Sequence, residues 1–469
     1  MTVTSRMFGA LVGLLVAASA ALPIAATESA DSGASDGVIR PSMVEMLDES
    51  HAGGVVTMAE LREDTLGSRG HLASGAGIDV ALIDTGVSPV SGLDGDKVLH
   101  GPDLSGEGSS PEVAYLDTYG HGTHMAGIIA GDRPGHEGIA PDARIVSVKV
   151  AGHDGITSVP QVVAAIDWVI EHRNADGLNI RVLNLSLGLA DVDDHRGDAL
   201  SAAVERAWDA GIFVVVAAGN SGDSQPHLDS PAIDPYVLAV GAADQMSHEV
   251  QTERDVPSWS ARGEVGRDPD LVAPGRSIAS YRVPGSTIDL AAPHARYGDD
   301  FFLGSGTSQS AAVMSGLAAA IIARYPWTNP DRLKYTIVKD AESVRGFGRS
   351  DAGNGHVEGW DSIEGQAGNR TQYHDHAAGP GTGLATPSGA TWSGGTWSGA
   401  TWSGATWSGA TWSGGTWSGA TWSGATWSGA TWSGATWSGA TWSGATWSGA
   451  TWSGATWSGA TWSGHGWTS

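Results

Sequence analysis

Three side chains have the types that nucleophilic hydrolysis requires, and each lies in a glycine-rich motif. Asp84 begins the motif DTGV, His121 is the first histidine of GHGTH, and Ser308 lies within GSGTSQS. A serine hydroxyl is a weak nucleophile and needs an adjacent base. Histidine can take its proton near neutral pH, and a buried carboxylate fixes the imidazole tautomer. Together the three residues predict an Asp-His-Ser hydrolase.

The order of the three motifs narrows the interpretation. Each motif alone also fits a non-catalytic interpretation: a turn aspartate, an exposed loop histidine or a helix-capping serine. Their occurrence together along one α/β pattern favours catalysis. A lipase or esterase of the α/β-hydrolase type has the order Ser, acid, His, and GTSQS around Ser308 lacks the second glycine of its nucleophile motif.

A fourth motif, AAGN, ends at Asn220 after an apolar run. The side-chain amide of Asn220, together with the backbone N–H of Ser308 at a helix start, could stabilise an oxyanion. The competing interpretation is a plain turn asparagine. The presence of the other three motifs favours the catalytic interpretation.

The elements that would position these residues alternate along the chain. Apolar runs rich in β-branched residues predict strands at 78–83, 144–150, 180–185, 212–218 and 237–242. Helical spacing predicts helices at 158–172, 199–210, 308–324 and 331–344, with a short one from Met58. Such alternation is typical of an α/β fold with a mostly parallel central sheet and helices on both faces. Catalytic groups can converge at the loop ends of such strands.

The motifs DTGV, GHGTH, AAGN and GTS resemble those of the subtilisin-like serine peptidases, over roughly residues 58–365. The resemblance implies that Asp84 is the orienting acid, that His121 rather than His124 is the general base, and that Ser308 is the nucleophile. It implies Asn220 as the oxyanion donor. It also implies a substrate-binding edge, formed by Ser186, Leu187, Gly188, Ala218 and Gly219. Extended peptides commonly bind by strand addition to such edges.

Two stretches depart from the family pattern. After Ser308 the chain has QSAAV where the family usually has MAAPH, and residues 276–304 form a longer stretch than the resemblance leads us to expect. Calcium is common in the family, but the sequence contains no Asp and Asn cluster whose spacing identifies a site. No metal ligand and no required cofactor are therefore predicted.

The N-terminal residues 1–26 have the pattern of a signal peptide. Arg6 precedes an uncharged apolar run at 7–21, and small residues allow cleavage after Ala20 or Ala26. The alternative is an uncleaved membrane anchor, for which this run is slightly short. We expect a secreted protein with no membrane span after cleavage. Residues 27–57 are rich in small and polar residues, which predicts a flexible segment or a short propeptide.

Charge and cysteine content exclude several classes of function. The formal net charge is -26, and the residues after 390 carry no acidic or basic side chain before His465. An acidic surface repels nucleic acid, so no nucleic-acid partner is expected. The resemblance to the subtilisin-like peptidases implies polypeptide substrates. Cysteine is absent, which excludes disulfides, thiol catalysis and cysteine-ligated metals.

The C-terminal part consists of a linker at 366–390 and a repeat at 391–469. In the linker, His374 and His376 flank Asp375, where solvated side chains are favoured over a metal site. The pentapeptide TWSGA, or a variant with glycine or histidine at its last position, occurs fifteen times and contributes most of the sixteen tryptophans beyond residue 390. Short Thr-Trp-Ser strands joined by turns, or an uncharged flexible polymer, both fit this pattern.

Three interpretations of the repeat remain open. It is an inert low-complexity extension, an attachment to cell wall or polysaccharide, or a self-association segment; exposed tryptophan can stack on sugars. The leading function is a secreted serine endopeptidase, extracellular or cell-surface associated. The alternative is a catalytically idle surface-binding protein, against which the four filled catalytic positions argue.

Overall fold

The computed structural model describes residues 38–41, 54–67, 74–225, 227–244, 255–263, 266–359 and 361–363, together with short strands of the repeat between 391 and 468. The predicted signal peptide and the linker, including His374, Asp375 and His376, lie outside the described residues. The chain divides into two units, Met1–Arg370 and Thr371–Ser469, and each is described by itself.

The first unit contains thirteen described strands. In chain order they are β1 Val38–Pro41, β2 Asp79–Asp84, β3 Val98–Asp103, β4 Arg144–Lys149, β5 Thr157–Ser158, β6 Ile180–Leu185, β7 Leu187–Gly188, β8 Phe213–Ala217, β9 Leu238–Ala243, β10 Leu271–Pro274, β11 Ile278–Tyr281, β12 Arg296–Tyr297 and β13 Phe301–Gly304.

Eight α-helices of the described residues accompany these strands. They are α1 Met58–Leu66, α2 His121–Ala130, α3 Val159–His172, α4 Ala199–Asp209, α5 Thr287–Ala291, α6 Thr307–Arg324, α7 Pro330–Lys339 and α8 Arg349–Ala352. No helix within the described residues has the length and apolar character required to span a bilayer.

A seven-stranded sheet with the order β10-β9-β8-β6-β2-β4-β3 forms the centre of this unit, and all its paired strands are parallel. β2, β6, β8 and β9 are buried along nearly their whole length, as their continuous apolar sequences require. The predicted α/β fold with a mostly parallel sheet is confirmed.

Two helix pairs pack against the sheet. α2 packs on α6, and α3 packs on α4. α4 buries Leu200, Ala203, Val204 and Ala207, a spacing that places all four on one face of the helix. α6 is buried from its first residue to Ile322, and its many alanines and serines allow close approach to five strands and α2.

The sequence pattern locates most of these elements within one or two residues. The helix predicted at 331–344 is shorter than expected, because α7 ends at Lys339 and Asp340 is its C-cap. α2, β3 and β10 are not apparent in the pattern. Most positions of β3 are only partly buried, and its sequence lacks the continuous apolar run that identifies the central strands.

Part of the N-terminal segment, residues 38–41, forms a strand. β1 pairs antiparallel with β5, through Val38 with Ser158, and with β7, through Arg40 with Gly188 and Pro41 with Leu187. The side chain of Ile39 is completely buried. The small and polar residues of this segment favour flexibility. Residues 38–41 nevertheless form a strand, because they pair with partners more than a hundred residues away, which local composition does not reveal.

The long stretch at 276–304 also has regular structure. β13 pairs antiparallel with β11 on one side and β12 on the other. β13 ends at Gly304, three residues before α6 begins. The added residues therefore form a small sheet that leads directly into the helix carrying Ser308.

The second unit consists of three-residue strands that recur every five residues. Each Thr-Trp-Ser strand pairs in parallel register with the strand twenty residues later, as Trp392 pairs with Trp412. Sixteen described strands form four sheets of four strands each. Consecutive repeats therefore belong to different sheets, and the chain returns to the same sheet every fourth repeat.

Candidate active site

Asp84 and His121 form a buried hydrogen-bonded pair at the carboxyl end of strand β2 of the central sheet. Asp84 ends β2 and His121 begins α2, and their side chains are 3% and 0% exposed overall. Nδ1 of His121 lies 2.8 Å from Oδ1 and 3.0 Å from Oδ2 of Asp84. An ionised carboxylate can only accept, so Nδ1 donates, and in the neutral form of the ring this leaves Nε2 as the acceptor nitrogen. Nε2 is buried and makes no hydrogen bond with any described residue, which leaves it available as a base.

A network that the sequence did not reveal holds these two residues together. The buried carboxylate of Asp117 accepts hydrogen bonds from the N–H of Gly120 at 2.6 Å and of Thr123 at 2.7 Å, at the start of α2. It also accepts from the hydroxyl of Thr85 at 2.7 Å, and the same hydroxyl accepts from the N–H of Gly122 at 2.9 Å. Asp117 therefore caps the helix that begins with His121 and ties it to the residue after Asp84.

The left-handed conformation of Gly120 explains part of the GHGTH motif. Gly120 is the N-cap of α2 with a φ of 109°, a region that glycine tolerates best. The available sequence signal for Asp117 is its position, three residues before this glycine. A carboxylate at that spacing can satisfy the unpaired N–H groups of a helix start.

Ser308 is the second residue of α6 and is fully buried by its surroundings. Its hydroxyl donates to the carbonyl of Ser186 at 3.0 Å, and the hydroxyl of Ser186 donates to the carbonyl of Ser308 at 3.1 Å. The N–H of a second helical residue has no acceptor within its own helix. Since α2 packs on α6, His121 and Ser308 begin two helices that contact each other.

The two ends of the Asn220 side chain have different environments. Its Oδ1 accepts hydrogen bonds from the N–H of Thr307 at 2.9 Å and from the Thr307 hydroxyl at 3.1 Å. Because Oδ1 is held in this way, Nδ2 points away from Thr307, and it is buried without a partner among the described residues. The N–H of Gly219 donates to the same Thr307 hydroxyl at 3.1 Å. Thr307, which the sequence analysis did not single out, thus orients the amide of Asn220.

The second histidine of the GHGTH motif has a different environment. Nε2 of His124 lies 3.0 Å from the carbonyl of Phe302, so it donates to β13. Burial and the neighbouring His121 lower the pKa of His124 to about 4, which keeps the ring neutral. His124 therefore links α2 to the strand that precedes α6.

The predicted substrate edge is occupied by a peptide in this structure, and that peptide belongs to the chain itself. β1 lies antiparallel to Leu187 and Gly188 on one side and to β5 on the other, and becomes the middle strand of a three-stranded sheet. Ala218 and Gly219 follow β8 beside this edge, and the N–H of Ala218 donates to the carbonyl of Val240. The edge formed by Leu187 and Gly188 thus pairs with an extended chain that runs antiparallel to it.

Calcium is common in the family that the sequence resembles, so a cluster of side chains in the described part of the chain would be a candidate site for it. Within those residues, no three side chains of His, Asp or Glu come together in a group that could hold an ion. Calcium prefers six to eight oxygen ligands. We therefore derive no step of the chemistry from calcium.

The sequence of this chain is similar to those of known serine proteases. The sequence model of the subtilase family matches residues 75–367. The serine protease AprX of Bacillus subtilis is 33% identical over 308 residues, which cover 63% of this chain and 68% of that protein. Subtilisin-like protease 1 of Arthroderma gypseum is 34% identical over 252 residues, covering 54% of this chain and 44% of that protein.

A solved structure has the same fold. Fervidolysin from Fervidobacterium pennivorans, described as a keratinolytic enzyme related to subtilisin, superposes with a TM-score of 0.52 at 24% sequence identity. The superposition covers 70% of this chain and 51% of fervidolysin. The chain thus spans about half the length of fervidolysin and less than half of the fungal protease.

Proposed function

The chain belongs to the subtilase family of subtilisin-like serine peptidases, and from this we propose that it is a secreted serine endopeptidase with Asp84, His121 and Ser308 as its catalytic triad. The observation that supports the proposal most strongly is the buried contact between Asp84 and Nδ1 of His121, which leaves Nε2 without a partner. Its substrates are polypeptides, bound as an added strand along Leu187 and Gly188.

In the first half of the reaction, Nε2 of His121 takes the proton of the Ser308 hydroxyl as Oγ attacks the carbonyl carbon of the scissile bond. The hydroxyl first leaves the carbonyl of Ser186. The electron pair of the carbonyl moves to its oxygen, and this oxyanion accepts hydrogen bonds from Nδ2 of Asn220 and the N–H of Ser308. Asp84 stabilises the imidazolium that forms, and stays ionised.

In the second half, the tetrahedral intermediate collapses and the C–N bond breaks. His121 gives the proton from Nε2 to the leaving amine, and the acyl group remains on Oγ of Ser308. Water then attacks the ester carbonyl carbon while Nε2 of His121 takes one of its protons. The second tetrahedral intermediate collapses, the bond between the acyl carbon and Oγ breaks, and Nε2 returns its proton to Oγ of Ser308 as the carboxylic product leaves. Every proton is transferred at one atom, Nε2, so no cofactor is required.

The test of this proposal is a pair of serine variants on the same helix. Ser308→Ala should abolish peptide hydrolysis and leave the fold intact. Ser310→Ala is the matched control, because its buried hydroxyl donates only to the carbonyl of Ala273 at 2.9 Å. It should lose about 1 kcal/mol of stability and keep its turnover. Wild-type turnover of Ser308→Ala would exclude the proposed nucleophile.

We further propose that residues 27–57 act as a short propeptide. β1 lies on the edge that a substrate would use, and the completely buried side chain of Ile39 contributes to its binding. A synthetic peptide with the sequence of residues 36–42 should therefore inhibit competitively. Replacing Ile39 with Asp in that peptide should raise the inhibition constant by about tenfold or more, since a buried isoleucine contributes about 1.5–3 kcal/mol. Non-competitive inhibition, or no effect of the replacement, would contradict this role.

We propose attachment to wall or polysaccharide as the role of the repeat. In-register parallel pairing repeats each tryptophan position about 4.8 Å apart along a sheet, in columns of four. Many weak stacking contacts of this kind can act multivalently. The alternative, a catalytically idle protein whose repeat is the working part, predicts the same retention on polysaccharide but no labelling of Ser308 by a fluorophosphonate.

A further inference from the structure

Asp229 is a buried carboxylate that none of the steps above uses. The residue is 9% exposed. Its Oδ1 is shielded from solvent and has no hydrogen-bond partner among the described residues, and no Lys, Arg or His of that part of the chain lies within ion-pair distance of it. An isolated buried charge is costly unless a partner compensates it. A carboxylate left in this state therefore indicates a cationic partner that binds from outside the chain.

The position of Asp229 links it to the two segments that border the scissile bond. Its N–H donates to the carbonyl of Ala218 at 3.0 Å, and the next residue, Ser230, pairs with Leu189. A Cβ built on Gly219 would lie 2.6 Å from Oδ2 of Asp229, and one built on Gly188 would lie 2.8 Å from its Cβ. The carboxylate thus contacts both glycines, where any side chain would displace it.

The strand direction shows which substrate residue approaches this carboxylate. β1 passes Gly188 with Arg40 and then Leu187 with Pro41, so a substrate in the same direction reaches Ser186 with its next residue. The carbonyl of Ser186 accepts the hydroxyl of Ser308, so this next residue carries the scissile carbonyl. Its side chain then lies between the two glycine-containing segments, Leu187–Gly188 and the one that ends at Gly219.

We propose that Asp229 selects substrates with arginine or lysine immediately before the scissile bond. This inference rests on the proposed function and names its substrate class. A carboxylate accepts hydrogen bonds only, and a guanidinium or ammonium group supplies both the donors and the opposite charge. The absence of side chains at Gly188 and Gly219 lets the carboxylate of Asp229 lie against both segments, where it can meet the charged end of such a side chain.

The charges around Asp229 set the conditions for a test. Burial raises the pKa of Asp229 to about 6; His227 opposes this shift and Asp191 adds to it. Nε2 of His227 lies 3.4 Å from the exposed carboxylate of Asp193. At pH 8 Asp229 is ionised, so assays at this pH measure its charged form.

The experiment compares internally quenched peptides that differ only in the residue before the scissile bond, which is Arg, Lys, Leu or Glu. Cleavage positions are confirmed by mass spectrometry, and active sites are counted with a fluorophosphonate. Wild-type kcat/KM should favour Arg and Lys over Leu, with Glu the poorest. Asp229→Asn should lower the Arg-to-Leu ratio by about 100-fold, the scale of a charge-assisted hydrogen bond in a site shielded from water. The smaller Asp229→Ser should do the same.

Asp193→Asn is the matched control, because it removes a nearby acid that does not touch the two glycines. Its Arg-to-Leu ratio should stay within about threefold of wild type, since exposed charges are screened. A wild-type enzyme that is labelled by the fluorophosphonate but shows no preference for Arg and Lys would overturn the inference and leave the proposed function standing. An equal loss on all four peptides in Asp229→Asn and Asp229→Ser would also overturn it. Failure of wild-type enzyme to cleave any peptide or to be labelled would instead refute the proposed function.

Discussion

Two substitutions of Asn220 separate its proposed catalytic role from its structural one, because Nδ2 is the proposed oxyanion donor and Oδ1 bonds Thr307. Oδ1 accepts from the N–H and the hydroxyl of Thr307, while Nδ2 has no partner in the described structure. Asn220→Ala removes both ends. Asn220→Asp keeps an oxygen for Thr307 but replaces the donor with a negatively charged acceptor. Comparison of the two variants assigns each effect to one end of the side chain.

The catalytic loss follows from the missing donor. Asn220→Ala should lower kcat by about 10² to 10³-fold, or about 2.7–4 kcal/mol. This range is the one known for the corresponding asparagine of subtilisin, a member of the same family. KM should change little, because the oxyanion exists only near the transition state. Asn220→Asp should lose at least as much kcat, since its charge repels the oxyanion.

The stability loss follows from Thr307. In Asn220→Ala the N–H and hydroxyl of Thr307 lose their acceptor, and a buried unsatisfied donor costs about 1–3 kcal/mol. Asn220→Asp keeps that acceptor, so its free energy of unfolding should lie closer to wild type. Steady-state kinetics and urea unfolding on the three proteins measure both quantities. A raised KM at unchanged kcat would refute the oxyanion role and make Asn220 a substrate-binding residue.

His121→Ala should lose several orders of magnitude in kcat, as removal of a triad histidine does, whereas His124→Ala should mainly lose stability because its ring bonds β13. Burial alone would raise the pKa of Glu107, but hydrogen bonds from Lys149 and its other neighbours lower it from 4.5 to about 2. Glu107→Gln should therefore destabilise the protein at pH 7, and the difference should shrink as pH falls from about 5 towards 2. Removal of residues 387–469 should leave kcat/KM on a small peptide unchanged and lower retention on insoluble polysaccharide.

Each of these expectations has a contrary result. Equal losses of kcat in two well-folded histidine variants would defeat the distinction between His121 and His124. A stability difference between wild type and Glu107→Gln that is as large at pH 3 as at pH 7 would contradict the lowered pKa. For the truncated protein, a collapse of kcat/KM would make the repeat part of the catalytic fold, and unchanged retention would favour an inert extension.

Local sequence patterns were sufficient for the central sheet and for the positions of its motif residues. β2, β6 and β8 are continuous apolar runs, so their ends, and hence Asp84, Ser186 and Asn220, could be located without a structure. Parallel strands bring those ends to one edge of the sheet. The contact of Asp84 with His121 could be expected for the same reason, because Asp84 lies at that edge. The helix that positions His121 could not be predicted, because its first residues form a glycine-rich motif.

The residues that sequence analysis missed act through specific contacts, some of them between residues that are distant in sequence. Asp117 bonds the start of α2, Thr307 orients Asn220, and Asp229 contacts two glycines that are distant in sequence. None of these residues belongs to a periodic sequence pattern, and the role of each depends on its contacts in the folded chain. β1 was predicted to be flexible for the same reason, since its pairing partners lie more than a hundred residues away.

The most direct test of the central claim is the site of covalent labelling by a fluorophosphonate. The reagent phosphonylates a serine that an adjacent base activates, and peptide mapping by mass spectrometry identifies the modified residue. We predict one equivalent of label on Ser308, greatly slowed labelling in His121→Ala, and wild-type labelling in Ser310→Ala. A folded protein that takes up no label, or that carries it on another serine, would contradict the account.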